Sequence, residues 1–174
     1  KSKINVIKSI FEEWEISSRK KILERTRQIF KFNSKLNYLD GEDLLTRYTR
    51  ALVGNKCDKF EQHRAVIGHF IWQVKRKIFG YEVFDHICPV LVGKQGSGKT
   101  KAIDNLIRPL KHLSVEGNLG MFVREAEKFI FGTYYIVKLD EFAKGLKSDV
   151  DSMKAIITST DINFRTFYTQ KMAI

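Results

Sequence analysis

The apolar residues in the first part of the chain recur at the three- to four-residue spacing that is typical of amphipathic helices. Between Lys59 and Phe79 this spacing predicts one helix, which Gly80 ends. Its apolar positions are Phe60, Val66, Ile67, Phe70, Ile71, Val74 and Ile78. Asp40–Leu52 predicts a helix with Asp40 as its cap, and residues 1–35 predict two helical stretches. We therefore expect an all-helical region over residues 1–80.

Further along the chain, the pattern changes to short β-favouring runs separated by a helical segment. Cys88–Val92 and Tyr134–Leu139 are typical of buried strands. The segment between them predicts a helix that begins near Lys99 and breaks near Pro109. Strand, helix and strand in this order predict a parallel sheet flanked by helices. The sequence therefore predicts an α/β fold, with its sheet within residues 81–174.

Composition and charge narrow the class of protein. The 174 residues include 31 Lys and Arg against 20 Asp and Glu. The net charge of +11 favours a polyanionic partner such as nucleic acid, and a soluble basic protein without such a partner is the alternative. A hydrophobic content of 43% excludes a disordered chain. No run of about 18 apolar residues is present, so no membrane span is expected. The two cysteines, Cys57 and Cys88, exclude a disulfide scaffold and fit a reducing cytoplasm.

The first predicted strand runs directly into the phosphate-binding pattern G-x-x-x-x-G-K-T, known as the P-loop. Its residues are Gly93, Lys94, Gln95, Gly96, Ser97, Gly98, Lys99 and Thr100. The glycines let the backbone aim its N–H groups at phosphate oxygens, and the following helix adds the positive end of its dipole. In this pattern Lys99 reaches the β- and γ-phosphates, and Thr100 offers its hydroxyl to Mg²⁺. The sequence therefore predicts an ATP–Mg²⁺ site.

An acidic pair, Asp140-Glu141, follows the second predicted strand. Behind a P-loop, Asp140 is expected to hold Mg²⁺, and Glu141 to orient and activate the attacking water. Lys138 is an unusual residue for a buried strand, and we expect it to pair with an acid or to extend toward water. Lys99 and Glu141 are therefore the predicted catalytic residues.

The last part of the chain mixes cations with aromatic residues. Residues 161–171 alternate in a way that predicts a strand or hairpin after a helix over Val150–Thr158. Arg165, Tyr168 and Lys171 are candidates for contact with a nucleic-acid backbone and its bases. The pattern alone favours an ordinary exposed strand over that contact.

A second motif supports a competing hypothesis. Asn55-Lys56-Cys57-Asp58 matches the N-K-x-D pattern with which GTPases bind guanine, and its position before the P-loop resembles circularly permuted GTPases. The D-x-x-G that such proteins need is missing at Asp140, and the preceding residues continue a helical pattern. We therefore expect residues 55–58 to form a helix–helix turn. A third hypothesis is a nucleic-acid-binding scaffold whose nucleotide site only switches assembly.

Several pieces together extend the P-loop into a longer pattern. They are Val74–Lys77, Cys88–Thr100, Phe131–Val137 and Lys154–Thr158, followed by Asp161, Arg165 and Tyr168. In this order, from about Leu36 to Thr169, the chain resembles the virulence-associated protein E family. These phage- and island-borne proteins are related to superfamily 3 replicative helicases and viral primase–helicases.

The resemblance implies an AAA+-like P-loop ATPase that unwinds DNA in a phage or mobile-element replication system. It implies ATP and Mg²⁺ as cofactors and a homo-oligomeric, hexameric ring on single-stranded or forked DNA. The cell compartment would be the cytoplasm of a bacterial or phage-infected cell. A hairpin beyond the acidic pair touches DNA in such helicases, which implies DNA contacts for Lys154, Arg165 and Lys171, with Tyr168 nearby.

The sequence departs from the family in three respects. Family members tend to carry glutamate where Lys138 stands, and residues 1–35 have no counterpart. The chain also stops before the family's sensor strand and arginine finger, and it lacks an initial methionine. We therefore expect it to be a piece of a longer protein.

Overall fold

A computed structural model describes residues 3–31, 35, 38–122, 124, 129–140, 147–158, 164–165 and 172–173. Its α-helices are α1 (Lys3–Phe30), α2 (Tyr38–Val53), α3 (Phe60–Ile78), α4 (Lys99–Ile107), α5 (Phe129–Thr133) and α6 (Lys147–Thr158). Two 3₁₀ helices span Arg108–Leu113 and Leu119–Phe122. Its strands are β1 (Ser114–Gly117), β2 (Ile136–Leu139), β3 (Phe164–Arg165) and β4 (Met172–Ala173).

The strands form two small sheets. β1 pairs with β2 in parallel, and Glu116 lies opposite Lys138 in the register. β3 pairs with β4 in antiparallel fashion, with Arg165 opposite Met172. The combination of helices with a small parallel sheet agrees in general terms with the α/β fold that the sequence predicts. The division into residues 1–80 and 81–174 stays a prediction.

The predicted strand over Cys88–Val92 is wrong, because the structure assigns no strand to these residues. β2 pairs instead with Ser114–Gly117, a segment that the sequence pattern did not single out. Val90 is 54% exposed and Val92 92% exposed, so this run is not buried either. A β-favouring run becomes a strand only where a neighbouring backbone completes its hydrogen bonds, and composition cannot supply that neighbour.

Strand β2 lies between two apolar clusters. Ile136 belongs to a cluster that α3, α4 and the first 3₁₀ helix share, with buried members Val74, Ile78, Ile107, Leu110 and Leu113. Val137 and Leu139 pack against a second cluster, whose buried members are Leu119, Met121, Phe122 and Met153. Successive strand residues point to opposite faces, so the side chains of Ile136 and Lys138 share the face of the first cluster. The strand therefore separates the side of α4 from the side of α6.

The helices of residues 3–79 agree with the predicted pattern except in their bounds. Residues 3–30 form one helix rather than two stretches, because neither glycine nor proline interrupts them. α2 begins at Tyr38, so Asp40 lies in its first turn and is not its cap. α1 leaves several large apolar side chains exposed, among them Phe11 and Trp14, each at 66%. Among the described residues, no helix combines the length and apolar content that crossing a bilayer requires.

Candidate functional site

The P-loop bends sharply into the first turn of α4. Gly96 and Gly98 have φ of +76° and +80°, a left-handed conformation that residues with a Cβ adopt only with strain. Gly98 caps α4, and no side chain bonds to the N–H groups of its first turn. The Ser97 N–H donates to the Lys94 carbonyl at 3.3 Å, which closes the loop. The first turn of α4 therefore presents N–H groups at the end of the loop, the arrangement that favours an anion.

Lys99 turns back over the loop that precedes it. Its Nζ donates to the carbonyl oxygens of Gly93 at 2.9 Å and Lys94 at 2.7 Å, with the Ser97 hydroxyl at 3.4 Å. All three acceptors are neutral, whereas bonds from an ammonium to charged oxygens are about twice as strong. Phosphate oxygens can therefore compete for this ammonium. Residues 94–98 and Thr100 are exposed, so the loop is open to a ligand.

The acidic side of the predicted site begins where β2 ends. Asp140 directly follows β2 and is exposed. Glu141 lies outside the described residues, so its predicted role stays a prediction. Within the described residues, no group of three or more His, Cys, Asp or Glu side chains is placed to hold a metal. A nucleotide-bound Mg²⁺ takes one or two protein ligands beside phosphate and water, and Thr100 with Asp140 would be such a pair.

Lys138 pairs with acids, as the sequence predicted. Its side chain is 9% exposed, and its Nζ lies 2.9 Å from Asp104 Oδ1 and 3.6 Å from Glu116 Oε2. The hydrogen bond that Lys138 donates to Asp104 raises the pKa of Lys138 above its ordinary value, although desolvation opposes that rise. Sequence reasoning missed both acids. Asp104 stands one turn beyond Thr100, which was an available signal, whereas Glu116 lies on a strand that was not predicted.

The predicted nucleic-acid residues are only partly described. Lys154 is exposed on α6, with its Nζ 3.7 Å from Asp151 Oδ1. Arg165 lies in β3, and the antiparallel pairing of β3 with β4 agrees with the predicted hairpin. Tyr168 and Lys171 lie outside the described residues. The DNA contacts of all four residues stay predictions.

Asn55–Asp58 form the helix–helix turn that the sequence predicts. They lie between the end of α2 at Val53 and the start of α3 at Phe60. The Phe60 N–H donates to the Cys57 carbonyl at 3.2 Å, and Gly54 has a φ of +84°. The N-K-x-D letters therefore coincide with ordinary turn chemistry.

A comparison with protein families identifies the group to which the chain belongs. Residues 33–174 match the virulence-associated protein E-like domain. The match covers most of the chain, which therefore belongs to the virulence-associated protein E-like family. Membership suggests a protein associated with phages or mobile elements. Neither a curated protein nor a solved structure shows significant similarity to the chain.

Proposed function

We propose that this chain is the ATP-binding and ATP-hydrolysing part of a DNA helicase from a phage or mobile-element replication system. The observation that carries the proposal is the P-loop, with Lys99 folded over its own carbonyl groups and α4 opening behind it. This combination is a site for the phosphates of a nucleotide. The finer fold that we propose is a P-loop ATPase of the AAA+ type.

The roles in the proposed ATPase follow from the chemistry of each group. The backbone N–H groups of residues 93–100 bind the phosphates, and Lys99 exchanges its loop carbonyls for phosphate oxygens. Thr100 and Asp140 would hold Mg²⁺, which would supply positive charge to the transferred phosphoryl group. Glu141 accepts a proton from the attacking water.

The proposed DNA contacts come from the final hairpin and from α6. Arg165 and Lys171 bind phosphates, Tyr168 stacks on a base, and Lys154 adds charge from its exposed position on α6. The net charge of +11 favours the same polyanion. One copy offers few such contacts, so we propose a hexameric ring, which multiplies them around a single strand. Such a complex would work in the cytoplasm of a bacterial or phage-infected cell.

The test of this function is ATP turnover by the full-length protein with and without single-stranded DNA. We expect Mg²⁺-dependent turnover that DNA stimulates, and Glu141→Gln should retain ATP binding while losing at least about a hundredfold in turnover. An ATP turnover rate that single-stranded DNA does not change would support a scaffold with a nucleotide switch. A tenfold preference for GTP over ATP would instead support the permuted GTPase that uses Asn55–Asp58.

DNA binding is tested separately by fluorescence anisotropy across a salt series. Replacing Arg165 and Lys171 together by alanine should flatten the salt slope by roughly one to two units, as two lost phosphate contacts predict. Lys8→Ala with Lys20→Ala removes the same charge from α1 and is the matched control. A double variant that binds as the parent does at every salt concentration would remove the hairpin from the DNA interface.

A further inference from the structure

Lys138 is a charged residue on the face of β2 that lies toward α4. It shares this face with Ile136, which packs among buried apolar residues of α3, α4 and the first 3₁₀ helix. Only 9% of the Lys138 side chain is exposed. The aliphatic part of a lysine can be covered in such a place while its ammonium reaches polar partners at the surface. Those partners come from two other elements of the fold.

The Lys138 ammonium joins three elements at one point. Asp104 belongs to α4 and Glu116 to β1, and their side chains are 52% and 63% exposed. Glu116 is the cross-strand neighbour of Lys138, so that contact stays within the sheet. The 2.9 Å bond to Asp104 is different, because it ties the helix that follows the P-loop to the strand that precedes Asp140.

The spacing along both elements places this ion pair next to the predicted metal ligands. Thr100 and Asp104 are four residues apart on α4, which is one turn of about 6 Å on the same face. Asp140 directly follows the end of β2 and is two residues from Lys138, about 6–7 Å along the chain. The separation of Asp104 from Thr100 along α4 is therefore similar to the separation of Lys138 from Asp140 along the chain.

We propose that Lys138 is a positioning residue for the metal: its ion pair with Asp104 holds α4 against β2 so that Thr100 and Asp140 face one Mg²⁺. This inference rests on the proposed ATP-binding function. The phosphates are held by the P-loop and α4 alone, whereas the metal needs a ligand from each side of the ion pair. Lys138 therefore affects how much Mg²⁺ adds to nucleotide affinity, and it does not affect the binding of the phosphates by the loop.

The experiment measures the affinity for a fluorescent ATP analogue in Mg²⁺ and in EDTA, using the full-length protein. The ratio of the two affinities isolates the contribution of the metal. In Lys138→Met, which keeps the length of the chain and removes its charge, we expect the EDTA affinity to stay within twofold of the parent. The ratio of the affinity in Mg²⁺ to the affinity in EDTA, which is the gain from Mg²⁺, should fall at least fivefold. Lys138→Arg should restore most of the gain, because it keeps both charge and reach.

The matched control is Lys111→Met, which removes a lysine that lines the same cleft as Asp104, Glu116 and Lys138. We expect its Mg²⁺ gain to equal that of the parent. A Lys138→Met protein with the full gain would overturn the positioning role, and so would one that loses affinity equally in Mg²⁺ and in EDTA. A parent that binds no ATP in either condition would overturn the proposed function itself.

Discussion

The P-loop and strand β2 each hold a lysine ammonium in contact with protein oxygens, but the oxygens are of different kinds. Lys99 bonds to neutral groups of its own loop, which lie within six residues of it along the chain. Lys138 forms ion pairs with carboxylates on two other elements, and it donates a hydrogen bond to one of them, Asp104, which is 34 residues away. An anion can replace neutral acceptors, because an ammonium bonds more strongly to a charged oxygen. Carboxylates on other elements instead hold those elements against the lysine. The first lysine is therefore suited to a ligand and the second to the architecture around it.

The largest expected effect is on ATP binding, and it comes from replacing Lys99, the lysine that is suited to a ligand. Lys99→Ala should weaken ATP binding by about a hundredfold or more, because a charge directed at the phosphates is lost. The folded state should keep its stability, because the bonds that are lost lie within one exposed loop. Calorimetric titration with ATP and thermal unfolding measure the two effects. Lys101→Ala, an exposed lysine on the same helix, is the control and should leave both unchanged.

A smaller effect is expected at the pair that joins α4 to β2. Asp104→Asn removes the charge of the nearer acid and leaves the Lys138 ammonium with Glu116 as its charged partner, so it should lower the free energy of unfolding by about 1 kcal/mol at most. For a chain of this size, this corresponds to roughly 2–4 °C in melting temperature. Lys138→Met should be nearly neutral, because methionine keeps the packing of the covered aliphatic chain while an ion pair with exposed acids is lost.

The control for that pair is Glu61→Gln, which breaks the 3.0 Å bond between Arg64 and an acid that is 74% exposed. An exposed ion pair contributes little, so no measurable change in unfolding is expected. If Asp104→Asn proved as silent as Glu61→Gln, Lys138 would not join the two elements, and the contrast with Lys99 would disappear.

The smallest effect concerns the third acceptor of Lys99. The Ser97 hydroxyl lies 3.4 Å from Nζ, at the limit of a hydrogen bond. Ser97→Ala should therefore change ATP affinity by less than about twofold in the same titration. A tenfold loss would mean that the hydroxyl itself contacts phosphate, so that the loop recognises its ligand by more than backbone and lysine.

The sequence predicts the helices of this fold better than its strands. The apolar stripe from Phe60 to Ile78 coincides with α3, and the helix expected from Lys99 coincides with α4. The backbone hydrogen bonds of a helix form between residues that are close in sequence, so the helix can be predicted from its own residues. A strand depends on a partner that is distant in sequence. β1 was therefore missed, since Ser114–Gly117 contains one strongly β-favouring residue, and Cys88–Val92 was wrongly assigned.

The same distinction applies to the candidate site. The P-loop is contiguous, so its spacing alone predicts the glycine-rich turn and the helix that begins near Lys99. Asp104 and Glu116 matter only because the fold brings them to Lys138. No local pattern marks an acid on an exposed helix face as the partner of a strand lysine. The sequence therefore predicts the contiguous loop and misses the ion pairs that join α4, β1 and β2.

The burial of Ile78 has a consequence for the order of events during synthesis. This side chain is 0% exposed, and it belongs to the same cluster as Ile136, which the ribosome adds 136 − 78 = 58 residues later. At about 5–20 residues per second, that interval is roughly 3–12 s. During this time the apolar stripe of α3 has no strand to cover it. This cluster therefore stays incomplete, and open to chaperones and to aggregation, until β2 emerges, even though most of the helices have already been made.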